Sequence, residues 1–336
     1  MGNRTRRCSR AAWGLAAILS LSSVWLASVV TVVPCRAAEN DKPESAGSAT
    51  AELFPSELVR FRVVASDPIF TGAGPGHWDV RIRERGWILH ENSQWRMWYT
   101  GYDGTRSGQK MLGLATSTDG LVWQRSPQNP VYREHWVEDM MIVRHSDTYY
   151  MFAEGLDDQA QLLSSQDGIQ WKRIGTLDVR LENGQPIPPG PYGTPTAYFA
   201  DGVWYLFYER RDQGVWLATS RDMAVWTNVS DTPVLVPGPG QYDRRLIALN
   251  QSVPDEGRYY AYFHGSAGDS SPSLWTTNVA VSNDLKTWTK YPGNPLFPVE
   301  ENKSSGIVVP VEGGFRLYTM HDEVQVHESS AIHDGH

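Results

Sequence analysis

The chain has 336 residues, with 30 Lys+Arg against 38 Asp+Glu and only two cysteines, Cys8 and Cys35. A net charge of −8 argues against nucleic acid and anionic membrane as partners. Past residue 37 no thiol remains, which excludes disulfides, a cysteine nucleophile and cysteine–zinc sites.

The first 37 residues read as an export signal. Arg4, Arg6, Arg7 and Arg10 precede an almost wholly apolar run from Ala11 to Val33, and Cys35-Arg36-Ala37 places small residues at −3 and −1 of a cleavage point before Ala38. The expected location is periplasmic or secreted; the alternative is an uncleaved N-terminal membrane anchor. Removing this segment leaves 25 Lys+Arg against 38 Asp+Glu. Residues 38–57, rich in Ala, Ser, Glu and Pro, read as a flexible tether. Residues 58–327 form the folded domain and 328–336 a C-terminal tail.

Within the domain a hexad recurs: aromatic, Arg or Tyr, apolar, aromatic, then two variable positions. Its copies start at Trp95, Tyr149, Trp204, Tyr259 and Phe315, at spacings of 54, 55, 55 and 56 residues. After each of the first four comes Ser-x-Asp-x-x-x-Trp: Ser117/Asp119/Trp123, Ser165/Asp167/Trp171, Ser220/Asp222/Trp226 and Ser282/Asp284/Trp288. Each unit reads as an inner strand, the aromatic hexad strand, a strand ending in Ser-x-Asp, and a strand opened by the Trp. Five such units predict an all-β, five-bladed β-propeller with four-stranded blades. The last unit lacks its outer strand. Val59–Val63 is expected to supply it from the other end of the chain, closing the ring and removing an exposed edge.

Antiparallel pairing puts the start of each inner strand beside the end of its hexad, on one face around the axis. The Ser-x-Asp turns fall on the opposite face, where an Asp bonds its own backbone. The inner-strand starts are read at Trp78-Asp79, Glu138-Asp139, Tyr192-Gly193, Tyr242-Asp243 and Lys303-Ser304. The hexad ends are Thr100, Glu154, Glu209, His264 and Met320. Acids converging on a ring axis suit general acid–base chemistry; the structural alternative is that each is ion-paired to a nearby arginine.

The phrases Trp98-Tyr99-Thr100-Gly101-Tyr102, Leu114 to Gly120 with Trp123, and Asn129-Pro130-Val131 resemble the five-bladed β-propeller glycoside hydrolases. That group includes arabinanase, xylosidase, invertase, neoagarooligosaccharide hydrolase and mannoside phosphorylase types. The resemblance implies an exported enzyme that cleaves a glycosidic bond with paired carboxylates. Carrying over the group's three acidic roles makes Asp79 the base and Asp243 the acid, with Gly193 or Thr194 where a supporting acid belongs. A circularly shifted count makes Asp243 the base, Asp79 the support and Glu138 or Asp139 the acid; Glu209 or His264 is a further choice of acid. The candidate catalytic residues are therefore Asp79, Asp139, Asp243 and Glu209. Candidate substrate-binding residues are His77, Trp78, Glu138, Glu154, Arg210, Arg244, His264 and His321. No cofactor is expected, a structural Ca2+ near the axis being the one metal left open. Phosphorolysis, with phosphate held by arginines such as Arg210 and Arg244, is the near variant of hydrolysis. A non-catalytic carbohydrate-binding propeller is the alternative function.

Overall fold

The computed structural model describes residues 52–329. The export signal, residues 38–51 of the tether and residues 330–336 of the tail lie outside the described residues. Among the described residues no helix is long and apolar enough to cross a membrane.

Five sheets, one per hexad, form the five-bladed β-propeller; all their ladders are antiparallel except that of Asp178–Arg180, which adds in parallel to the edge of the third. The inner strands Trp87–Glu91, Glu138–His145, Gly193–Ala200, Leu246–Asp255 and Ile307–Val311 touch one another in that order, and the last returns to the first. In the first four blades, two-residue turns join inner strand to hexad strand, as the pairs Glu91↔Gln94, His145↔Thr148, Ala200↔Val203 and Asp255↔Arg258 show. Both turn residues have positive φ in each case, for example Asn92 at 52° and Ser93 at 61°. That backbone twist matches the right-handed twist of the flanking strands.

The hexad aromatics pack the blades together. The ring of Trp98 meets that of Trp171 edge-on at 6.4 Å, Phe152 meets Trp226 at 5.8 Å, and Phe207 meets Trp288 at 6.0 Å. Each outer-strand Trp of blades two to four thus seals the seam with the preceding blade. The four Ser-x-Asp turns share one pattern. In the first, Asp119 Oδ1 accepts the N–H groups of Leu121 and Val122 at 2.8 and 2.9 Å, while Ser117 Oγ donates to it at 2.8 Å. Those donors hold the Asp119 carboxyl below the usual carboxylate range.

Ring closure follows the sequence expectation. Phe61–Val63 pairs antiparallel with Glu323–Ser329, in register Phe61↔Ser329, Arg62↔Glu328 and Val63↔His327, so Glu328 and Ser329, read as the start of the tail, belong to the closing ladder. The packed fold begins earlier than residue 58, however. Phe54 and Leu58 are buried against Tyr260 and Tyr262, and Tyr262 donates its hydroxyl to the Leu58 carbonyl at 2.6 Å. The end of the segment read as a tether is therefore core, because Leu53, Phe54 and Leu58 bring apolar surface that the fourth and fifth blades bury.

Candidate active site

Strand register fixes the axial column. The residue eleven positions before each hexad marks this column: Glu84, Glu138, Gly193, Ala248 and Ser304. Glu138 pairs with Glu154, Gly193 with Glu209 and Ala248 with His264. The next residue takes a positive φ in four blades: Arg85 at 27°, Asp139 at 44°, Thr194 at 44° and Ser305 at 53°. Local bulges in the second and third blades break the ladder at this level, as bulges do where a strand re-aims a side chain.

Three of the five expected strand starts are therefore in place, and two are corrected. Asp79 and Asp243 lie sixteen residues before their hexads, in the loops leading to the inner strands of blades one and four. Each packs over the glycine that follows a hexad end. A Cβ on Gly101 would meet the Asp79 side chain at 2.7 Å, and one on Gly265 the Asp243 side chain at 2.6 Å. Each is also locked to a cation from an outer strand. Arg125 Nε lies 2.8 Å from Asp79 Oδ2, and Lys290 pairs with Asp243. Tyr99 donates its hydroxyl to Asp79 at 3.0 Å. The two aspartates are one structural device used twice, and neither shares a partner with the axial acids.

His77 and Arg244 are exposed; Arg244 pairs with Asp269 at 3.1 Å. Arg210 is tied to the Pro188 carbonyl at 2.7 Å. Trp78 stacks on Tyr99 at 5.9 Å, beside Asp79. None of these four joins the column.

Asp139, Glu138, Glu154, Glu209, His264 and His321 do come together at the axis. Glu154 and Glu209 both lie over Gly193, where a Cβ would meet Glu154 Oε1 at 1.7 Å and Glu209 Oε1 at 2.9 Å. Only glycine leaves room for the two carboxyl groups. Glu138 is the paired member: Arg83 holds it, and Trp136 Nε1 donates to it at 2.7 Å. Among the described residues, Asp139, Glu154 and Glu209 have no ion-paired Lys, Arg or His within 4.0 Å.

Burial disfavours charge on all three. It pushes the Glu154 carboxyl well above the usual range, helped by Asp139, with which it shares a hydrogen bond. It pushes Glu209 up to about 7, even though the N–H groups of Asp212 and Gly193 favour the charged form. Asp139 is likewise raised, by burial and then by Glu84. Asp139 and Glu154 thus form a proton-sharing pair beside a carboxylic acid poised near neutrality.

Sequence reasoning missed four participants: Glu84, Arg85, Asp158 and Asp212. The constant eleven-residue offset would have found Glu84, and the position after it Arg85. Asp158 and Asp212 sit in loops just beyond hexad ends, and no periodicity marks them. Asp212 donates its N–H to Glu209, and burial together with the Glu209 charge pushes its own carboxyl up to about 8.

Arg85 fills the axis itself. Its guanidinium donates to the carbonyl oxygens of Asp139, Pro195, Leu249 and Asn250 and to Thr196 Oγ1 at 2.8 Å. It thereby ties the first blade to the second, third and fourth. The guanidinium is the cation that these axial carbonyl oxygens hold. Glu138, Glu154 and Asp158 remain as residues that could hold a divalent ion, with carboxylate oxygens within 4.8 Å of one another. Both Glu138 oxygens already have partners, however. His264 Nδ1 lies 2.7 Å from Asn250 Oδ1, and burial and then Arg85 push its pKa down to about 3, so the ring is neutral. His321 Nδ1 lies 3.2 Å from Ser304 Oγ and 3.9 Å from Glu84. A cavity of about 1040 Å3 lies elsewhere, at the opposite end of the ring between the fifth and first blades. It contains none of the axial acids.

No protein-family model matches the chain, and no curated protein matches it. Solved structures do. A candidate glycoside hydrolase from Parabacteroides distasonis superposes with a TM-score of 0.68 at 14% identity, over 82% of this chain and 97% of the other. A glycosyl hydrolase from Bacteroides ovatus gives 0.65 at 16% identity, over 80% and 92%. The β-1,2-mannobiose phosphorylase of Listeria innocua, in complex with β-1,2-mannobiose, gives 0.58 at 12% identity, over 80% and 95%. At these identities the likeness is one of fold, and the chain has the five-bladed propeller architecture of the glycoside hydrolases and phosphorylases that its hexads resemble.

Proposed function

We propose that the protein is an exported glycoside hydrolase whose chemistry is carried by the axial acids rather than by Asp79 and Asp243. The observation that carries this reading is the group Asp139, Glu154 and Glu209: buried, converging, and without ion-paired cations. A non-catalytic propeller would gain little from three desolvated carboxyl groups that share one axial guanidinium, Arg85, and form no ion pair of their own. In the proposed reaction Glu209, protonated near neutral pH, delivers its proton to the glycosidic oxygen as the bond to the anomeric carbon breaks. Asp139, sharing one proton with Glu154, supplies the second carboxylate, which activates water or attacks the sugar. His264, neutral and bound to Asn250, and His321 hold sugar hydroxyls around the reacting bond.

Of the arginines that phosphorolysis would use, Arg210, Arg211, Arg244 and Arg245, two are committed, Arg210 to the Pro188 carbonyl and Arg244 to Asp269, which supports hydrolysis as the first reading. Export rests on the basic start and apolar run of the first 37 residues and on the thiol-free chain that follows. The test is a screen of the chain from Ala38 onward against nitrophenyl glycosides and polysaccharides, with and without phosphate. Glu209→Gln should lose at least about 10²-fold in kcat with its circular dichroism spectrum unchanged. Wild-type turnover in Glu209→Gln removes Glu209 from the acid role. Absence of turnover across the whole panel counts against the enzyme.

A further inference from the structure

A second cavity opens beside the acidic group, in the second blade and the loops before it, with a volume of about 380 Å3. Gly155, next to Glu154, is part of its wall. So is Trp136, whose indole N–H is bonded to Glu138. The cavity therefore shares residues with the axial site without being part of it, and its volume suits one monosaccharide unit.

The polar groups lining this cavity are pinned in a particular way. Gln161 donates Nε2 to the Trp136 carbonyl at 2.6 Å and accepts from Arg173 Nε at 2.7 Å. Arg173 Nη2 donates to Thr176 Oγ1 at 2.9 Å. Gln159 is anchored through its nitrogen to the Gly190 carbonyl at 3.1 Å, and Gln109 through its nitrogen to the Arg133 carbonyl. Two amide oxygens are thus left as fixed acceptors. Arg173 Nη1 and the Thr176 hydroxyl proton are left as donors. Arg173 has no ion-paired acid among the described residues. Lys110 Nζ sits 4.5 Å from the Trp136 ring centroid and helps fix the indole.

The geometry points to this cavity as a binding subsite for a neutral sugar unit adjoining the bond cleaved at the axis, which makes the substrate an oligosaccharide. This rests on the glycoside hydrolase reading. Each hydroxyl of a neutral sugar both donates and accepts, which matches a wall of mixed donors and acceptors beside an indole. An anion would want donors alone. Glu134, in the cavity wall, and the nearby Asp158 would in addition repel a uronic acid.

The test measures the melting temperature of the chain from Ala38 onward with glucose, xylose and mannose, with their β-1,4-linked disaccharides, and with digalacturonate, all at one molar concentration. Ligand binding to the folded state raises the melting temperature with affinity. One neutral disaccharide should outdo its monosaccharide by a margin equivalent to at least about tenfold in affinity (~1.4 kcal/mol). That margin should vanish in Arg173→Met and in Leu156→Trp, the latter filling the cavity from an exposed rim position. A margin that survives both variants, the absence of any margin, or a larger shift with digalacturonate overturns the proposal. A margin lost in both variants without turnover of any glycoside supports the subsite while overturning the enzymatic reading. Glu209-dependent turnover with a margin that survives both variants does the reverse.

Discussion

Replacing Asp79 by Asn separates a structural aspartate from a catalytic one. The substitution keeps shape and one acceptor for the Tyr99 hydroxyl but removes the charge facing Arg125. Asp79 is 1% exposed, and its partner's side chain is 33% exposed. Breaking a fully buried pair costs about 3–5 kcal/mol because a charge is left uncompensated. Arg125 escapes most of that penalty: part of it reaches water, it donates to the Thr71 carbonyl, and its guanidinium lies 4.2 Å from the Phe70 ring centroid. The expected loss is about 2 kcal/mol, a fall of roughly 4–8 °C in melting temperature for a domain of this size. Asp79→Asn combined with Arg125→Met should cost less than the sum of the two single changes, the mark of a direct pair. Calorimetry of the four proteins gives the coupling, and turnover per folded molecule should stay within about twofold across them, far from the 10²-fold loss of an acid–base group. A hundredfold drop in kcat for Asp79→Asn with an unchanged melting temperature would refute the structural assignment.

Arg85→Met should destabilise by roughly 3–5 kcal/mol, since it orphans buried axial carbonyls and removes the tie between four blades; denaturant titration measures it. Asp167→Ala should cost about 1 kcal/mol through lost local hydrogen bonds and leave turnover per folded molecule intact. Glu209, raised from 4.5 to about 7, contributes stability that is fully present below pH 4.5 and lost as pH rises through 7. The melting temperature of Glu209→Gln relative to the parent should therefore climb between pH 5 and pH 8, and a flat difference would contradict the assignment. His327 is buried, and desolvation outweighs the Leu317 carbonyl to lower it from 6.5 to about 4. Its contribution is present above pH 6.5 and lost as pH falls through 4, so His327→Phe should narrow the acid-induced loss of stability.

The architecture was legible because a propeller repeats its hydrophobic pattern, and the hexad marks a strand of each blade that is buried on both sides. Ring closure was legible for a related reason: the fifth unit lacked a strand, and Phe61–Val63 alternates as an edge strand does. The site was half legible. Glu154, Glu209 and His264 follow from the hexad end. Asp79 and Asp243 misled because an acid just before apolar residues looks like a strand start, whereas both sit in lead-in loops and fold back over a glycine. Their outer-strand partners, Arg125 and Lys290, lie 46 and 47 positions away, and nothing local links the pairs. Glu84 and Arg85 were passed over because they follow Arg81 and Arg83 in a charged stretch that reads as solvated surface. Burial of Arg85 depends on carbonyl oxygens that three other blades supply.

Pairing Phe61 with Ser329 makes the last step of folding the longest-range one. The first strand of the ring finds its partner only when the final strand exists, so the closing ladder spans nearly the whole domain. Loop-closure entropy grows slowly with length, so the thermodynamic penalty is modest, but contacts of such separation slow folding. A chain made N-terminus first would hold four blades with an unsatisfied edge until Glu323–Ser329 arrives. Stability against unfolding should then reside in that one seam: peeling Phe61–Val63 away reopens the ring, and the five blades lose their cooperative lock together.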